Sequence, residues 1–443
     1  MLISARSFLS GMVPILGGVL VFIAAHSKAA SVEDTLLKKG ILNKDEWAEI
    51  KTEQGKARGE QENDSEPQES FPVKVEYNRP GFSISTKDGN WETTIKSRFQ
   101  FRASYPRDGD PISPDDFRDE DEATFNIRRA RIKVGGHGYR PWLKYYFEYD
   151  WPSNNLLDWR AMLERFEWLQ LKVGQWKIDY NRERVDSSGK QQFVERSIVN
   201  REFTIDRQQG VMLYGHLFPG TFVDSRYYVG AFTGMGRGET SNDDDSLMYM
   251  ARLQWNFLGR DLEFSQSDVE YHVKPTGSIA VAAVTNKSRC TRWSSSGCGN
   301  LDGFTDPDLA EPGQFRVNQA VEEFAFKYRG LSIQHEFHWK KIKDKVNDTE
   351  TNMRGSYSQA GYFPHYLISA IPKPLEVAFR YAFVDPNTDQ SNDIRREFTV
   401  ALNWFFSGHN NKLTFDASRL TLQRPGSGDF DDNRARLQWD VTF

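Results

Sequence analysis

The sequence predicts an all-β fold, a transmembrane antiparallel β-barrel of about 16 strands that follows a short N-terminal helical segment on the periplasmic side. The last residues, Asn433–Phe443, alternate strictly between polar and apolar side chains and end in phenylalanine. Similar segments recur through most of the preceding chain, and the first residues are typical of an exported protein. A period of two indicates strands with one apolar face, and about 9–11 residues of a tilted strand suffice to cross a bilayer.

Residues 1–29 are predicted to be a signal peptide. Arg6 supplies a positive charge before the apolar run at residues 11–25, and Ser27 and Ala29 place small residues before a cleavage site. The run is shorter than the roughly 20 residues that a membrane-spanning helix needs. Export with cleavage is therefore favoured over the alternative, an uncleaved N-terminal membrane anchor.

Residues 30–54 are predicted to form a periplasmic helical segment with coiled-coil character. Asn43 with Glu46 three positions later is a variant of the capping box that begins helices. The apolar side chains form one stripe, which copies of the chain could bury by associating; a loosely structured tail is the alternative. Residues 55–89 begin with a stretch rich in Glu, Gln and Gly, and are predicted to be a linker that leads to the barrel.

The composition is compatible with a barrel that has a polar interior. The mean hydropathy is −0.66, while 27% of the residues are charged and 14% are aromatic. Only alternate residues of a barrel strand face lipid, and aromatic residues gather at both membrane interfaces. A hydrophilic average with many aromatic residues therefore does not argue against a membrane location.

Residues 90–443 are predicted to form the barrel. The predicted strands span 91–105, 122–138, 142–151, 156–166, 168–177, 208–218, 221–234, 246–257, 271–285, 315–329, 331–343, 354–370, 374–385, 393–406, 411–423 and 433–443. The short connections are 138–141, 218–221, 329–331, 372–374 and 407–411, and the long ones are 106–121, 178–207, 235–245, 286–314 and 424–432. Short turns at one end and long loops at the other are typical of outer-membrane barrels. Residues 258–270 are an exception, because they form a longer turn on the short side.

Several stretches resemble the phosphate-selective porin O and P family. They are Phe125–Val134 (FNIRRARIKV), Tyr145–Asp150 (YYFEYD), Leu169–Lys177 (LQLKVGQWK), Phe193–Arg196 (FVER) and Asp206–Gly215 (DRQQGVMLYG). The resemblance covers roughly residues 90–443. It implies a homotrimeric porin of the Gram-negative outer membrane, in contact with lipid and lipopolysaccharide, whose third loop folds inward and narrows a water-filled channel. Family members range from phosphate selectivity to broader traffic.

Strand alternation assigns an excess of basic side chains to the interior of the barrel. Seventeen basic residues oppose nine acidic ones on this face, although the whole chain has a net charge of −5. The residues predicted to line an anion path are Lys96, Arg98, Arg102, Arg129, Arg131, Lys133, Lys144, Lys172, Arg434 and Arg436. Rings of cations in a narrow passage raise the local concentration of anions. The alternative is that acidic and basic residues pair across the wall and brace the barrel.

The long connection at residues 178–207 is predicted to be the constriction loop. Its candidate solute contacts are Arg182, Arg184, Lys190, Arg196 and Arg201. Acidic residues balance part of this charge, so an external lid held by internal ion pairs is the alternative. The family resemblance favours an inward-folded loop.

Cys290 and Cys298 lie in a segment rich in Ser and Gly and are predicted to form a disulfide in a loop. The acidic runs at 115–122 and 243–245 are predicted to be solvated loop segments. Divalent cations bridging these runs to lipopolysaccharide phosphates are the alternative.

The sequence thus predicts a porin for passive diffusion of small anions, with phosphate or related oxyanions as the favoured solutes. A general, weakly selective porin is the first alternative. Neither a GxSxG motif nor a persuasive group of Ser, His and carboxylate residues supports an outer-membrane enzyme. A glycan-binding β-protein is a further alternative, because exposed Trp residues would suit it. No cofactor, metal site or nucleic-acid partner is expected.

Overall fold

The computed structural model describes residues 36–40, 43–63, 73–78, 80–118, 121–426 and 428–443. The predicted signal peptide at residues 1–29 lies outside the described residues. The chain divides into two compact units, Met1–Phe71 and Pro72–Phe443. Among the described helices, none has both the length and the apolar character needed to cross a membrane.

Helix α1, Lys44–Asn63, begins with the predicted capping box. The Asn43 side-chain oxygen accepts hydrogen bonds from the backbone N–H groups of Asp45 and Glu46, both at 2.9 Å. In return, the Glu46 carboxylate accepts the backbone N–H of Asn43 at 2.9 Å. The helix continues to Asn63, so the start of the predicted linker is helical. Residues such as Lys, Glu, Gln, Ala and Arg, which are abundant here, favour helix even without an apolar stripe.

The larger unit consists almost entirely of strands. They are β1 Val73–Tyr77, β2 Phe82–Thr86, β3 Glu92–Tyr105, β4 Thr124–Gly138, β5 Arg140–Asp150, β6 Asn155–Phe166, β7 Leu169–Lys177, β8 Arg207–Leu217, β9 Ser225–Phe232, β10 Met248–Trp255, β11 Thr276–Ser288, β12 Arg292–Ser294, β13 Gly297–Gly299, β14 Phe315–Tyr328, β15 Leu331–Asp344, β16 Thr349–Tyr362, β17 Leu375–Asp385, β18 Arg395–Ser407, β19 Asn411–Leu422 and β20 Phe430–Thr442. Two short helices lie between β7 and β8, namely α2 Arg182–Val185 and α3 Val199–Phe203.

Strands β3–β11 and β14–β20 form a closed antiparallel barrel, which confirms the prediction of sixteen strands. Each strand pairs with its neighbours in chain order, and β20 pairs with β3 from Ala435↔Tyr105 to Thr442↔Arg98. The β1–β2 hairpin continues the sheet, because β2 pairs with the part of β3 that β20 does not reach. Closure leaves the barrel without the unpaired edges that hydrocarbon would penalise.

The two faces of the wall differ as the alternation predicts. On β15 the buried side chains of Glu336, His338 and Lys340 alternate with Phe337 and Trp339 on the outward face. Many other outward side chains are large and apolar, including those of Leu213, Val229, Leu253, Val281, Phe379 and Leu437. A polar interior inside an apolar outer surface is the arrangement of a membrane barrel.

A β-bulge corrects the alternation on β4. Phe125, Ile127, Arg129 and Arg131 are all odd-numbered, so a regular strand would place them on one face. The register between β3 and β4 shifts at this point, where Gln100 pairs with Arg129 and Phe101 with Ile127. The extra residue, Arg128, lets the apolar pair face outward and the two arginines face inward.

We call the end of the barrel that carries residues 178–206 the loop end, and the opposite end the turn end. At the turn end the predicted strand 354–370 was too long. Strand β16 ends at Tyr362, and a 3₁₀ helix at Pro364–Tyr366 begins the connection to β17. Pro364 cannot donate a ladder hydrogen bond, which explains why pairing stops there. Residues 363–374 are therefore a long connection rather than the tight turn expected at 372–374.

Phe443 extends the seam that closes the barrel, beyond the last ladder pair of β20 with β3. Its backbone N–H and C=O exchange hydrogen bonds with Ser97 at 2.8 and 2.9 Å, and its ring meets Phe99 edge-on at 6.2 Å. We expect deletion of Phe443 to lower the temperature at which the folded band of the purified barrel disappears in electrophoresis. The matched control is Phe406→Ala, since the Phe406 ring is equally exposed at the end of β18. Equal temperatures for the two variants would contradict the role of Phe443 in closure.

Candidate pore and constriction

Residues 178–206, the constriction loop, fold into the barrel and are held by carboxylates of the wall. Glu336 on β15 accepts the backbone N–H of Glu183 at 2.6 Å. Asp416 on β19 and Glu397 on β18 accept the backbone N–H groups of Val194 and Ile198, both at 3.0 Å. Hydrogen bonds to an ionised acceptor are stronger than neutral ones. Three strands on one side of the barrel therefore fix the course of the loop.

The tip of the constriction loop touches the wall at β3. The Arg98 guanidinium donates to Ser187 Oγ at 2.9 Å, and Gln100 donates to the Ser188 carbonyl at 3.1 Å. A Cβ atom at Gly189 would lie 0.8 Å from the Arg98 guanidinium. Only glycine permits this close approach unless Arg98 moves.

Most cations of the constriction loop are engaged within the protein. Arg184 pairs with Asp206, with Nε 3.0 Å from Oδ1. Arg196 donates to the carbonyls of Glu183 and Asp186 at 2.9 and 2.7 Å. These contacts hold the loop together and leave these guanidinium groups little capacity for a solute.

The other three predicted loop cations differ in their surroundings. Arg182 is buried and donates to the carbonyl of Glu263 at 2.8 Å, whereas Arg201 pairs with Glu202 at 2.7 Å. Lys190 is exposed at the loop tip, and its side chain has no hydrogen-bond or ion-pair partner among the described residues. Lys190 is therefore the loop cation best placed to meet a solute.

Apolar side chains fill much of the loop-end half of the lumen. Ile198, Val199, Phe203 and Ile205 of the constriction loop belong to one buried cluster with inward side chains of β8–β11 and β14–β17. The loop at 289–314 adds to the cluster. It carries the short β12–β13 hairpin and the disulfide between Cys290 and Cys298, together with the buried Trp293. Around the constriction loop the interior is therefore packed like a protein core, while a cavity of about 940 Å³ remains at the loop end beside Leu301, Met353 and Arg395.

Several predicted pore-lining arginines lie in the wall as ion pairs. Arg436 forms a two-pronged pair with Asp416 at 3.0 and 2.9 Å. Arg102 and Arg129 share the Glu195 carboxylate of the constriction loop at 3.1 and 3.0 Å. All three guanidinium groups are almost fully buried.

The same bracing extends to other predicted residues of the wall. Arg434 pairs with Asp110 of the first loop at 2.8 Å, and Arg98 lies 3.8 Å from Asp440. At the rim, Lys144 pairs with Glu164 at 2.7 Å, and its side chain is 48% exposed. Bracing contacts thus involve most of the basic residues that alternation assigns to the interior.

An open part of the lumen lies beside β4–β7. A cavity of about 210 Å³ separates this wall from the constriction loop. Its basic lining residues are Arg131, Lys133, Arg160, Lys172 and Lys177, and its acidic lining residues are Glu148, Asp158 and Asp179. Five positive charges thus face three negative charges.

Two lysines on neighbouring strands make this wall more positive. Lys96 on β3 is the register partner of Lys133 on β4, and both side chains are partly exposed. Lys133 lies 3.8 Å from Glu148, whereas Lys96 has no ion-pair partner among the described residues. Like charges opposite each other disfavour the folded strand pair. An anion between the two lysines would relieve this repulsion.

Burial changes the acidity of the carboxyl groups in the constriction loop. Burial raises the pKa of Glu183 to about 7 against the opposing effect of Arg380, and burial raises the pKa of Asp186 to about 6 against that of Lys177. Burial acts in the same direction on Glu195, but Arg129 and Arg102 outweigh it and hold the pKa well below its usual range. The loop therefore contains both permanently ionised and titratable carboxyl groups.

Sequence reasoning missed the residues that anchor the constriction loop. Alternation identifies Asp416, Glu397 and Glu336 only as luminal charges, although each accepts a loop N–H group. It also missed that residues 256–275, the connection between β10 and β11, enter the lumen. The unusual length of this connection at the turn end is the one available signal.

The closed sixteen-stranded barrel, its apolar outer surface and its inward-folded loop define an outer-membrane channel. The profile of the phosphate-selective porin O and P family matches residues 99–443, and the chain belongs to this family. The expected family resemblance is thereby confirmed. No curated protein sequence matches the chain.

Solved structures of other outer-membrane proteins share the fold at low sequence identity. The channel DcaP of Acinetobacter baumannii has 13% identity and a TM-score of 0.53, with 81% of this chain and 99% of that chain covered. An anion-selective porin from Comamonas acidovorans has 10% identity and a TM-score of 0.52, with 79% and 99% covered. The trimer form of OmpT from Vibrio cholerae has 8% identity and a TM-score of 0.50, with the same coverage.

The raised pKa of Glu183 predicts that the stability of the barrel depends on pH. A carboxyl group with a raised pKa in the folded protein stabilises it below its ordinary pKa, and this contribution disappears as the pH rises through about 7. Between pH 4.5 and 8 we expect Glu183→Gln to lose less thermal stability than the unaltered protein, by roughly 1–3 kcal/mol. Loss of the folded band on heating at each pH measures this. Glu239→Gln, at an exposed loop position, is the control; parallel curves for all three proteins would refute the prediction.

Proposed function

We propose that this porin conducts small anions by passive diffusion, along the side of the lumen formed by β3–β7. The excess of positive charge on this side is the observation that carries the proposal. Five cations face three carboxylates in the open cavity, and Lys96 and Lys190 add charges that lack an ion-pair partner among the described residues. A passage with net positive walls lowers the entry barrier for anions and raises it for cations.

The type of cation at the open side supports conduction rather than tight binding. Lys96, Lys133 and Lys190 are flexible, strongly hydrated point charges, whereas most arginines of the interior are fixed in ion pairs. Conduction requires sites that bind weakly and repeatedly, so that a solute can leave each one. Phosphate and related oxyanions are the proposed solutes, because they suit such sites and the family contains phosphate-selective members.

We further propose that three copies of the chain assemble in the outer membrane. The OmpT structure in its trimer form supports a homotrimer, since it shares this fold. The apolar outer surface would contact lipid and lipopolysaccharide, and the N-terminal helical segment would lie in the periplasm. Hydrogen-bonded closure of β20 onto β3 allows each copy to have its own channel.

A general, weakly selective porin is the second candidate. Glu148, Asp158 and Asp179 also line the open cavity, and Lys172 is partly neutralised by Asp179 at 3.1 Å. Neutral or cationic solutes would then pass as well. The permeability ratio of anions to cations separates the two candidates.

Removal of the two facing lysines should weaken the preference for anions. We expect the double variant Lys96→Ala and Lys133→Ala to lower the ratio of chloride to potassium permeability by about two- to three-fold. Reversal potentials in a KCl gradient across a planar bilayer measure this ratio. Lys341→Ala is the matched control, since Lys341 lies on the outward face of β15. A reversal potential that indicates potassium selectivity in the unaltered protein would contradict the anion proposal.

Phosphate as a solute is tested by competition. If phosphate occupies the lysine-lined wall, millimolar phosphate should reduce the chloride current, because a divalent oxyanion binds a cationic site more strongly than chloride. The double lysine variant should show less block than the Lys341→Ala control. A chloride current that is insensitive to phosphate would favour the general porin.

A further inference from the structure

Residues 256–275, the turn-side segment, do not remain at the rim of the barrel. Leu262, Gln266, Ser267 and Asp268 are almost completely buried, although they belong to a connection between two strands. Turns at this end of a membrane barrel are usually short and exposed. Because several of its residues lie inside the lumen, the segment narrows the lumen from the turn end.

The turn-side segment contacts the constriction loop directly. The side-chain oxygen of Gln266 accepts the backbone N–H of Gln192 at 2.8 Å, and its amide donates to the Gln191 side chain at 2.8 Å. Arg182 donates to the Glu263 carbonyl at 2.8 Å and lies over a ring of the same segment at 5.0 Å. The constriction loop is therefore supported from the turn end as well as from the wall.

The segment also crosses the turn end towards β14–β19. Ser267 donates to Glu376 on β17 at 2.9 Å, and Asp268 accepts the backbone N–H of Gly330 between β14 and β15 at 2.7 Å. Further along, the Val269 side chain lies next to Gly408, which is between β18 and β19. A Cβ atom added to Gly408 would be 3.6 Å from Val269. These contacts cover the side of the lumen opposite the open cavity beside β4–β7.

Glu263 neutralises the charge of Lys327, a cation of the lumen. Lys327, on the inward face of β14, donates to the Glu263 carboxylate and to Ser265 Oγ, the latter at 2.9 Å. Burial opposes ionisation of Glu263, but Lys327 outweighs it and lowers the pKa of this carboxyl group to about 2. Glu263 is therefore ionised at neutral pH, and Lys327, which donates to it, is not free to attract anions.

We propose that the turn-side segment is a second constriction, which restricts passage to the β3–β7 side and in which Glu263 limits the anion selectivity of the channel. This inference depends on the proposed channel function. Glu263 acts as a specificity-determining residue through Lys327, and Gln266 acts as a positioning residue for the constriction loop.

The role of Glu263 is tested by Glu263→Gln in the full-length chain. The substitution leaves the backbone carbonyl that Arg182 contacts, but it frees the charge of Lys327. We expect the ratio of chloride to potassium permeability to rise about two-fold with little change in conductance. Asp261→Asn is the matched control, because Asp261 belongs to the same segment but pairs with Arg226 at a more exposed position. Equal ratios in both variants and the unaltered protein would refute the role of Glu263.

The narrowing is tested by shortening the segment. Replacing residues 262–269 by Gly-Ser-Gly should raise single-channel conductance by at least about 1.5-fold. The control removes residues 367–370, which belong to the other long connection at the turn end and are exposed. An unchanged conductance in a variant that keeps the heat-sensitive folded band would overturn the second constriction.

A milder variant keeps the test decisive if the shortened barrel does not fold. Gln266→Ala removes both hydrogen bonds to the constriction loop, and we expect it to increase the amplitude of open-channel current fluctuations. Fluctuations identical to those of the unaltered protein would count against the positioning role. Lack of any conductance in the unaltered protein would instead refute the channel function itself. The second constriction would then be refuted with it.

Discussion

The structure depends on one constraint, which is that a charged side chain inside the barrel must be either paired or solvated. A barrel of sixteen strands is too wide for its own side chains to fill, so its inward charges find partners on neighbouring strands or on segments that enter the lumen. On β15, β18 and β19 the partners are backbone N–H groups of the constriction loop, which Glu336, Glu397 and Asp416 accept. On β4–β7 the carboxylates pair instead with cations of the same wall, as Glu148 does with Arg131 and Asp179 with Lys172, and a cavity remains between this wall and the constriction loop. The difference between these two sides creates the passage.

Segments that enter from both ends of the barrel fill one side of the lumen and leave the other side open. The constriction loop and the loop at 289–314 enter from the loop end and share an apolar cluster, while the turn-side segment enters from the turn end. At the loop end, the segments are held by close apolar packing of the kind found in protein cores. At the turn end the contacts are polar instead, such as those of Gln266 with Gln191 and Gln192. A polar support is easier to loosen without unfolding the barrel.

Local patterns in the sequence predicted the fold, but contacts between distant residues formed the site. Alternation identified sixteen strands because one face of each strand meets lipid, and Asn43 with Glu46 identified a helix start. The bulge at Arg128 has no such local signal, because only the pairing of β4 with β3 separates the faces of Ile127 and Arg129. Ion pairs within the lumen are equally hidden. The partners in the pairs Arg436–Asp416 and Lys327–Glu263 lie 20 and 64 positions apart, so no local pattern reveals them.

Arginine and lysine have different roles in the lumen, and the difference follows from the same constraint. Arginine presents a planar set of donors, which suits fixed contacts such as those of Arg102 with Gln438 and Glu195. Once its donors are used in this way, the group contributes to the wall but little to solute binding. Lysine has a compact, strongly hydrated charge on a flexible stem, and Lys96 and Lys190 have no ion-pair partner among the described residues. An excess of basic residues in a barrel sequence therefore overstates the charge that a solute meets. The lysines that the packing leaves unpaired give the better measure of selectivity.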